Sequence, residues 1–245
     1  MKAMIFAAGL GSRLKPLTDT LPKALVPVHG ETMLGRLIVK LKAIGCREII
    51  INIHHLGEQI IDFLNANSNF GIDIRISDER KYLLDTGGGL KQAAQFLEGG
   101  EPFLVHNVDV LSDVDLKTFY DSHRTESLAT LLVSKRSTSR YLLFDKNSRL
   151  CGWRNKETDE IKSFFPDFDP KQYVEYAFGG IHVISPSIFK QMDEWTGKFS
   201  IIDFYLSACA KNKIMACLSQ NLTIFDIGKP ESLEKAENWL RLTEK

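Results

Sequence analysis

Short apolar runs alternate with segments of helical periodicity along the first half of the chain, and this alternation limits the fold more than any other feature. The apolar runs predict strands at 2–7, 48–53, 72–76, 103–107 and 129–134. Helical patterns between them predict helices at 32–44, 58–66, 89–97 and 115–123. Strands separated by helices require crossover connections. We therefore expect an α/β protein with a Rossmann-like, doubly wound, mostly parallel sheet and helices on both faces.

The rhythm changes after residue 134. The pattern there predicts a hairpin at 141–154 with Asn147 near its turn, and a charged loop at 158–171 over the open sheet edge. Further strands are predicted at 173–184, 214–218 and 222–226, and helices at 186–192, 200–211 and 230–242. The final helix should bury Leu233, Ala236 and Leu240. Because no repeat or low-complexity linker is present, we expect one domain over 1–245 with a small β-rich insertion.

Composition excludes several classes of function. Lys plus Arg number 31 and Asp plus Glu number 31, so a net charge of zero gives no support for nucleic-acid binding. No apolar run approaches the ~20 residues that cross a bilayer, and the N-terminus shows no signal-peptide pattern. The four cysteines are scattered without a C-x-x-C pair. We expect a cytoplasmic protein with reduced thiols and with neither nucleic-acid nor membrane partners.

The segment that follows the first predicted strand, AAGLGSRLKPLTDTLPKALVPV, is unusually rich in special residues. Gly9 and Gly11 can bring backbone N–H groups together around an anion. Arg13 offers a planar fork that suits phosphate, and Lys23 follows a proline that fixes its backbone. In an open α/β sheet, ligands bind beyond the carboxyl ends of the strands, where this loop begins. The combination predicts a phosphate-binding loop.

Simpler interpretations exist for each residue of this loop taken alone. Gly9 and Gly11 fit a tight turn equally well, and a single Arg13 or Lys23 is usually a solvated surface charge. The loop has neither the spacing of a P-loop nor the third glycine of a dinucleotide fingerprint. Only the whole combination with its three prolines favours the phosphate-binding hypothesis.

The same segment resembles the N-terminal signature of the sugar-1-phosphate nucleotidyltransferases, also called nucleotide-sugar pyrophosphorylases. Their pattern, A-G-x-G-[ST]-R-L-x-P-x-T-x-x-x-P-K-x-x-x-P, is matched throughout. Weaker similarity extends through LLDTGGGL, HNVDV, YAFGGIHVI and FDIGKPESL. The resemblance implies the nucleotide-diphospho-sugar transferase fold, with a nucleotide-binding half at 1–134 and a sugar-binding half at 135–245. It also implies nucleotide contacts from Ala8, Gly9, Gly11, Ser12 and Arg13.

Two aspartates are candidate ligands for Mg²⁺, a cation that typically takes one or two carboxylates from protein. Asp109 follows the strand at 103–107, and Asp226 ends the last short strand. The resemblance maps both onto the metal-binding aspartates of the family. Asp226 fits a turn or helix cap equally well, whereas Asp113 and Asp115 can serve as the caps near Asp109. Val108 stands where the family usually has glycine.

Further nucleotide contacts are expected from the second glycine-rich segment and two polar side chains. The resemblance assigns Gly87 and Gly88, which we expect to lie in a loop ahead of a helix, to nucleotide binding. Asp78 offers an acceptor for a base edge, and Asn107 belongs to the HNVDV segment. A flexible loop for the glycines and a solvent-exposed carboxylate for Asp78 are the simpler alternatives.

The sugar is expected to contact the strand at 173–184. Gly180 matches the glycine that leaves room for the hexose, and Glu175 offers an acceptor for its hydroxyls. A strand bulge and a water-facing glutamate are the respective alternatives. Many relatives have an E-K-P motif whose lysine meets the sugar phosphate. This chain lacks the motif, and Arg154 and Lys156 are the basic residues that remain as substitutes.

The resemblance implies transfer of a nucleotidyl group from a nucleoside triphosphate to a sugar 1-phosphate, with Arg13 and Lys23 as catalytic residues. Among compact members of the family, LLDTGGGL favours the N-acetylmuramate-1-phosphate uridylyltransferases, and so UTP, over the mannose-1-phosphate guanylyltransferase-like members. Three alternatives remain open: a GTP-dependent mannose- or heptose-1-phosphate guanylyltransferase, a CTP:phosphocholine cytidylyltransferase, and a catalytically silent regulatory protein that binds nucleotide sugars. We expect a monomer or a small homo-oligomer.

Overall fold

A computed structural model describes residues 1–243 of the chain. Its strands are β1 (Lys2–Phe6), β2 (Pro27–Val28), β3 (Glu31–Thr32), β4 (Glu48–Ile53), β5 (Asp73–Asp78), β6 (Phe103–Asn107), β7 (Val110–Ser112), β8 (Ala129–Ser134), β9 (Arg140–Phe144), β10 (Leu150–Asn155), β11 (Glu160–Lys162), β12 (Val174–Ile184), β13 (Ile214–Leu218) and β14 (Ile224–Asp226).

The α-helices are α1 (Leu17–Thr20), α2 (Met33–Ala43), α3 (Gly57–Ala66), α4 (Asp85–Gln92), α5 (Ala94–Leu97), α6 (Leu116–Asp121), α7 (Ile188–Gln191), α8 (Ile201–Ala208) and α9 (Pro230–Thr243). Short 3₁₀ turns occur at Ser12–Leu14, Lys23–Leu25, Ser68–Gly71 and Pro170–Gln172. Among the described residues, no helix has the length and apolar character to cross a membrane. The predicted α/β class is confirmed.

The chain forms two compact units that interleave along the sequence. The first unit contains Met1–Leu83, Val105–Asp113 and the segment that starts at Thr223. The second unit contains Leu84–Leu104 and Val114–Leu222. The chain passes between the units four times, so no single cut in the sequence separates them.

The first unit contains the strand order β6-β1-β4-β5. β1 pairs in parallel with β4, and β4 pairs in parallel with β5. Ala3, Met4, Ile49, Ile50 and Ile51 are completely buried. Parallel strands that are covered on both faces read as continuous apolar runs, which is why β1 and β4 were predicted within one residue of their observed ends.

Helix α2 shows how local chemistry sets an element of the first unit. Thr32 is its N-cap, with the hydroxyl accepting a hydrogen bond of 3.0 Å from the N–H of Gly35. Leu34, Ile38 and Leu41 form its buried stripe. Gly45 follows at φ 88°, a left-handed conformation that suits glycine. The predicted helix is confirmed with both ends in place.

Helix α9 packs on the segment that follows the cationic loop. Its Ala236 and Leu240 are buried in one cluster with Val26, Val28 and Ile227, and Leu233 is partly buried against it. The helix therefore buries the predicted stripe. It also holds the end of the loop from Ala7 to Val26 against the first unit.

The second unit is a mixed sheet. β8 pairs in parallel with β13 and antiparallel with β12, whereas β12, β9, β10 and β11 follow one another in antiparallel pairs. The predicted hairpin is β9–β10, whose turn is fixed by Asp145 accepting from the backbone N–H groups of Asn147 and Arg149. The predicted loop at 158–171 is partly wrong, because β11 pairs with β10 as an exposed edge strand. Its three exposed residues include a single apolar side chain, Ile161, which is too few for a strand pattern.

The predicted helix at 89–97 is also corrected. It begins at Asp85 and breaks into α4 and α5, so the three glycines lie inside a helix and not in a loop ahead of it. The N–H groups of Gly87 and Gly88 donate to the carbonyl of Phe199 at 2.9 and 3.2 Å. A tertiary contact thus overrides the low helix propensity of glycine.

Helices α7 and α8 are shorter than the predicted 186–192 and 200–211. The strand pairs β2–β3 and β7–β14 contain elements of two or three residues, and β2, β3 and β7 were missed. Elements this short are defined by their partner and not by a pattern of their own.

Gly88→Ala should destabilise the protein, although alanine is normally the better helix residue by about 1 kcal/mol. An added Cβ would lie 2.4 Å from the carbonyl oxygen of Gly197, a backbone atom that cannot move aside cheaply. We expect a loss of about 1–3 kcal/mol in the free energy of unfolding, measured by urea denaturation. Gly9→Ala is the matched control, because no atom lies within 4 Å of its added Cβ. Equal stability of the two variants would contradict the packing argument.

His106 should make the protein less stable in mild acid. Burial lowers its pKa from 6.5 to about 4, so the unfolded chain binds a proton between these pH values and the folded chain does not. The free energy of unfolding should therefore fall as pH falls from 6.5, by up to about 1.4 kcal/mol per pH unit. An NMR titration of the imidazole checks the cause. A pKa near 6.5 in the folded protein would contradict it.

Candidate active site

The loop between β1 and β2 is ordered by short helices at Ser12–Leu14, Leu17–Thr20 and Lys23–Leu25. Its first turn depends on Gly11, which has φ 66° and whose carbonyl accepts from Leu14 N–H and Thr18 Oγ1 at 2.8 Å each. An added Cβ would lie 2.8 Å from Thr18 Cγ2. Gly11 is thus required by the turn itself, whereas nothing crowds Gly9.

A buried polar pair that the sequence analysis missed holds the start of this loop. The N–H of Ala7 donates to Asn52 Oδ1 at 2.7 Å, and Asn52 Nδ2 donates to Glu79 Oε1 at 2.7 Å. Asn52 is 3% exposed and Glu79 is 1% exposed. A signal was present, because Asn52 interrupts the apolar run EIIINI and a buried polar side chain needs a partner.

Lys23 lies where the loop returns to the sheet, and its ammonium contacts the carboxylate of Asp109. The contact joins Lys23 Nζ to Asp109 Oδ2. Their side chains are only 10% and 21% exposed. Water therefore screens this ion pair less than a surface pair. The structure brings together one predicted catalytic residue and one predicted metal ligand.

Asp109 and Asp226 come from distant parts of the sequence and meet through the β7–β14 ladder. Asp226 pairs with Val110, the residue after Asp109. The N–H of Ile227, the residue after Asp226, donates to the carbonyl of Asp109 at 2.8 Å. The backbone of the first unit thus fixes the two aspartates next to each other.

Gly228 shows that Arg13 also belongs to this group. A Cβ added to Gly228 would lie 2.7 Å from Arg13 Nη2 and 2.9 Å from Asp226 Oδ1. The glycine therefore leaves the space that the guanidinium and the carboxylate occupy. Arg13, Lys23, Asp109 and Asp226 form a constellation, which we call the charged cluster, of two cations and two anions.

The charged cluster has the chemistry of a magnesium site next to a phosphate site. No group of three or more His, Cys, Asp or Glu side chains that could hold a metal occurs in residues 1–243. Mg²⁺ keeps several waters and usually needs only one or two protein carboxylates, so Asp109 and Asp226 are a suitable donor set. The neighbouring cations Arg13 and Lys23 suit phosphate oxygens.

Val108, the departure from the family's glycine, is 6% exposed, and its N–H donates to the carbonyl of Phe6 at 3.1 Å. Val108 lines a small pocket together with Met33 and Leu37. The extra carbon atoms are therefore accommodated within the first unit.

The remaining candidates of the first unit lie on the same loops and strands. Ala8 is buried, Ser12 is exposed at the first 3₁₀ turn, and Asn107 is half-buried at the end of β6. Asp78 is exposed, and its carboxylate accepts from the backbone and guanidinium of Arg80. The side-chain hydrogen bonds from Arg80 lower the pKa of Asp78.

Gly87, Gly88, Gly180 and Glu175 belong to the second unit. A Cβ on Gly87 would lie 2.4 Å from the ring of Phe199, so helix packing explains this glycine without a ligand. Gly180 has φ 70° and lies where the β8–β12 register shifts, between Phe178 and His182. The strand-bulge interpretation therefore accounts for its conformation.

Glu175 is the centre of an ion-pair group in the second unit. Lys156 Nζ lies 2.5 Å from Glu175 Oε2, and Arg154 Nη1 lies 3.6 Å from Glu175 Oε1. The Glu175 side chain is 26% exposed. Arg154 and Lys156, the candidate substitutes for the missing E-K-P lysine, thus both contact this carboxylate.

Comparison with known proteins places the chain in a family. Residues 2–241 match the family described as Nucleotidyl transferase. An N-acetylmuramate alpha-1-phosphate uridylyltransferase of Caulobacter vibrioides is 30% identical over 245 aligned positions, covering 96% of this chain and 95% of that protein. The Neisseria meningitidis protein of the same name is 48% identical over 122 residues, which cover 50% of this chain and 52% of that protein.

A relative named for a different nucleotide and sugar aligns over a smaller share of its own length. Mannose-1-phosphate guanylyltransferase 1 of Arabidopsis thaliana is 32% identical over 199 residues, or 79% of this chain and 52% of that protein. The chain spans about half the length of that relative. The crystal structure of HddC from Yersinia pseudotuberculosis, complexed with GMP-PN, matches with a TM-score of 0.77 and 25% identity over 98% of this chain and 99% of that one.

The family match spans nearly the whole chain, and it agrees with the cationic loop and the paired aspartates that the structure brings together. The curated relatives described above are named as sugar-1-phosphate nucleotidyltransferases, which supports an enzyme of this class. The chain belongs to the nucleotidyl transferase family.

Proposed function

We propose that the protein transfers a uridylyl group from UTP to N-acetylmuramate α-1-phosphate and releases pyrophosphate. The substrate pair rests on the Caulobacter relative, whose similarity covers 96% of this chain and 95% of that protein. The higher identity to the Neisseria relative over a shorter range supports the same pair.

The observation on which the proposed chemistry depends is the charged cluster. A sugar 1-phosphate and a nucleoside triphosphate are both anions, so their reaction needs cations at the meeting point. Arg13 and the N–H groups of the loop from Ala8 to Ser12 would bind the β- and γ-phosphates. Lys23 would contact the α-phosphate and the sugar phosphate. Asp109 and Asp226 would hold Mg²⁺, which when bound neutralises phosphate charge.

The reaction needs no general base in this proposal. The attacking phosphate oxygen of the sugar 1-phosphate is already ionised at neutral pH. It forms a bond to the α-phosphorus while the bond from that phosphorus to the bridging oxygen breaks, and pyrophosphate leaves with the electron pair. The role of the protein is positioning and charge neutralisation.

Residues of the second unit would recognise the sugar. Lys156 is the better substitute for the missing E-K-P lysine, because its ammonium is 46% exposed and has three donors, so it can contact a phosphate as well as Glu175. Glu175 would then accept hydrogen bonds from sugar hydroxyls beside Gly180. In this proposal the nucleotide contacts lie mainly in 1–134 and the sugar contacts in 135–245.

A guanylyltransferase is the second candidate. The Arabidopsis relative and the GMP-PN complex of the HddC structure both favour it. Asp78 would then be a candidate acceptor for the N1–H and N2–H₂ donors of guanine.

A screen of pyrophosphate release distinguishes these functions. UTP, GTP, CTP and dTTP would each be mixed with N-acetylmuramate, mannose, heptose and glucose 1-phosphates and with choline phosphate, in the presence of Mg²⁺. We expect the highest kcat/KM with UTP and N-acetylmuramate 1-phosphate. A preference for GTP with mannose or heptose 1-phosphate would support the second candidate. No release with any pair would indicate a silent binding protein.

Asp109→Asn and Lys23→Ala should each lower kcat by about 10²–10³-fold, because each removes a charged contact in the transition state. The melting temperature should be measured in parallel to show that the fold survives. Asp113→Asn is the matched control, since Asp113 is exposed and accepts from the N–H of Thr223 in the same unit. Near-normal turnover in Lys23→Ala would remove this residue from the mechanism.

Asp226→Asn should raise the Mg²⁺ concentration needed for half-maximal activity by about tenfold or more, because one of two carboxylate ligands becomes neutral. Initial rates measured against Mg²⁺ at saturating substrates test this. An unchanged Mg²⁺ dependence with reduced kcat would assign Asp226 to the arrangement of Arg13 and not to metal binding.

A further inference from the structure

We propose that Arg154 binds the lactyl carboxylate that distinguishes N-acetylmuramate 1-phosphate from N-acetylglucosamine 1-phosphate. The proposal rests on the proposed function and adds a residue that sets its sugar specificity. It follows from the contacts of Arg154 on β10, from the contacts of Lys156 just after that strand, and from the charge distribution of the substrate.

The contacts that the Arg154 guanidinium makes with carboxylates of the protein are long. Its Nη1 lies 3.6 Å from Glu175 Oε1, and its Nη2 lies 3.5 Å from Asp159 Oδ1, whose side chain is 85% exposed. Its Nε is buried without a hydrogen-bond partner. Charge-assisted hydrogen bonds normally measure about 2.7–2.9 Å, and a guanidinium has five donors in a planar fork. Arg154 therefore retains donors for an external carboxylate.

Lys156 lies closer than Arg154 to the carboxylate of Glu175. Its ammonium lies 2.5 Å from Glu175 Oε2, compared with 3.6 Å for Arg154. It also lies 4.6 Å from the centre of the Tyr141 ring, which restricts where it can reach. Glu175 thus compensates one cation closely and the other only loosely. The Arg154 side chain remains 31% exposed, so a solute can reach it.

Both cations contact the same carboxylate and are two positions apart in the sequence. Their charged groups approach different oxygens of that carboxylate, Lys156 Nζ at Oε2 and Arg154 Nη1 at Oε1. Arg154 and Lys156 therefore present a pair of positive charges suited to a solute with two separated negative charges. One is a compact ammonium and the other a fork with bidentate geometry.

N-acetylmuramate 1-phosphate has two such charges. Its phosphate is on C1 and its lactyl carboxylate is on C3, so the two anions flank C2 of the same ring. If Lys156 meets the phosphate, as in the proposed function, the fork of Arg154 is left for the carboxylate, its preferred bidentate partner. N-acetylglucosamine 1-phosphate has a hydroxyl at C3 and offers Arg154 no negative charge.

The test compares both sugar 1-phosphates with UTP and Mg²⁺ in the wild-type protein and in Arg154→Gln, by pyrophosphate release. We expect the wild type to prefer N-acetylmuramate 1-phosphate. In Arg154→Gln that preference in kcat/KM should fall about 10- to 100-fold, mainly through KM, because a hydrogen bond to a charged group is lost. Turnover of N-acetylglucosamine 1-phosphate should change less than about threefold. Arg154→Lys, which keeps the charge but loses the fork, should retain part of the preference.

Arg140→Gln is the matched control. Arg140 is an exposed arginine on the neighbouring strand β9, where it pairs with Asn155, the residue between the two cations, and the structure gives it no contact with Glu175. Its substitution should leave the sugar preference unchanged.

The outcomes separate the two proposals. If the wild type releases no pyrophosphate with N-acetylmuramate 1-phosphate, the proposed function is wrong and the role of Arg154 is wrong with it. If the wild type uses this substrate and Arg154→Gln keeps the preference, only the role of Arg154 is overturned. An equal loss of activity with both sugars would also overturn it, since that pattern indicates a general structural role.

Discussion

The ion pair between Lys23 and Asp109 is the interaction on which the site of the first unit depends. It joins the end of the cationic loop to Asp109, two residues beyond the end of β6, with both side chains largely withdrawn from water. An unpaired charge in that environment is expensive, so each partner is held in place by the other. The same two groups are the ones that a phosphate and a magnesium ion would separate. In the proposed function, this contact within the protein would be replaced by contacts to substrate and metal.

Glycines allow the tight turns and close contacts that position other parts of the two units. Gly11 supplies the left-handed turn that starts the loop, and Gly228 leaves the space in which Arg13 approaches Asp226. In the second unit, Gly87 and Gly88 let a helix lie against the backbone near Phe199. These positions therefore require glycine for different physical reasons. Gly11 and Gly228 serve the charged cluster, whereas Gly87 and Gly88 serve helix packing at a position where the resemblance implies nucleotide contacts.

The sequence predicted best those elements whose signal is local. β4, β6 and β8 were predicted with their observed ends, because buried strands read as unbroken apolar runs. β7 and β11 were missed, since a three-residue strand or an exposed edge strand exists only through its partner. The polar pair Asn52–Glu79 was missed for the same reason: its partners are 27 residues apart.

The sequence by itself determined the α/β class, the family and the residue types of the site, because apolar periodicity and the long signature of the loop are local properties of the chain. It also supplied both aspartates, 117 positions apart. Tertiary structure alone decided that β14 pairs with β7 and so brings Asp226 beside Asp109, and that Lys23 contacts one of them. It also decided which cation compensates Glu175 closely and which only loosely. These are distances between residues far apart in sequence, which strand pairing and packing fix and which no local pattern encodes.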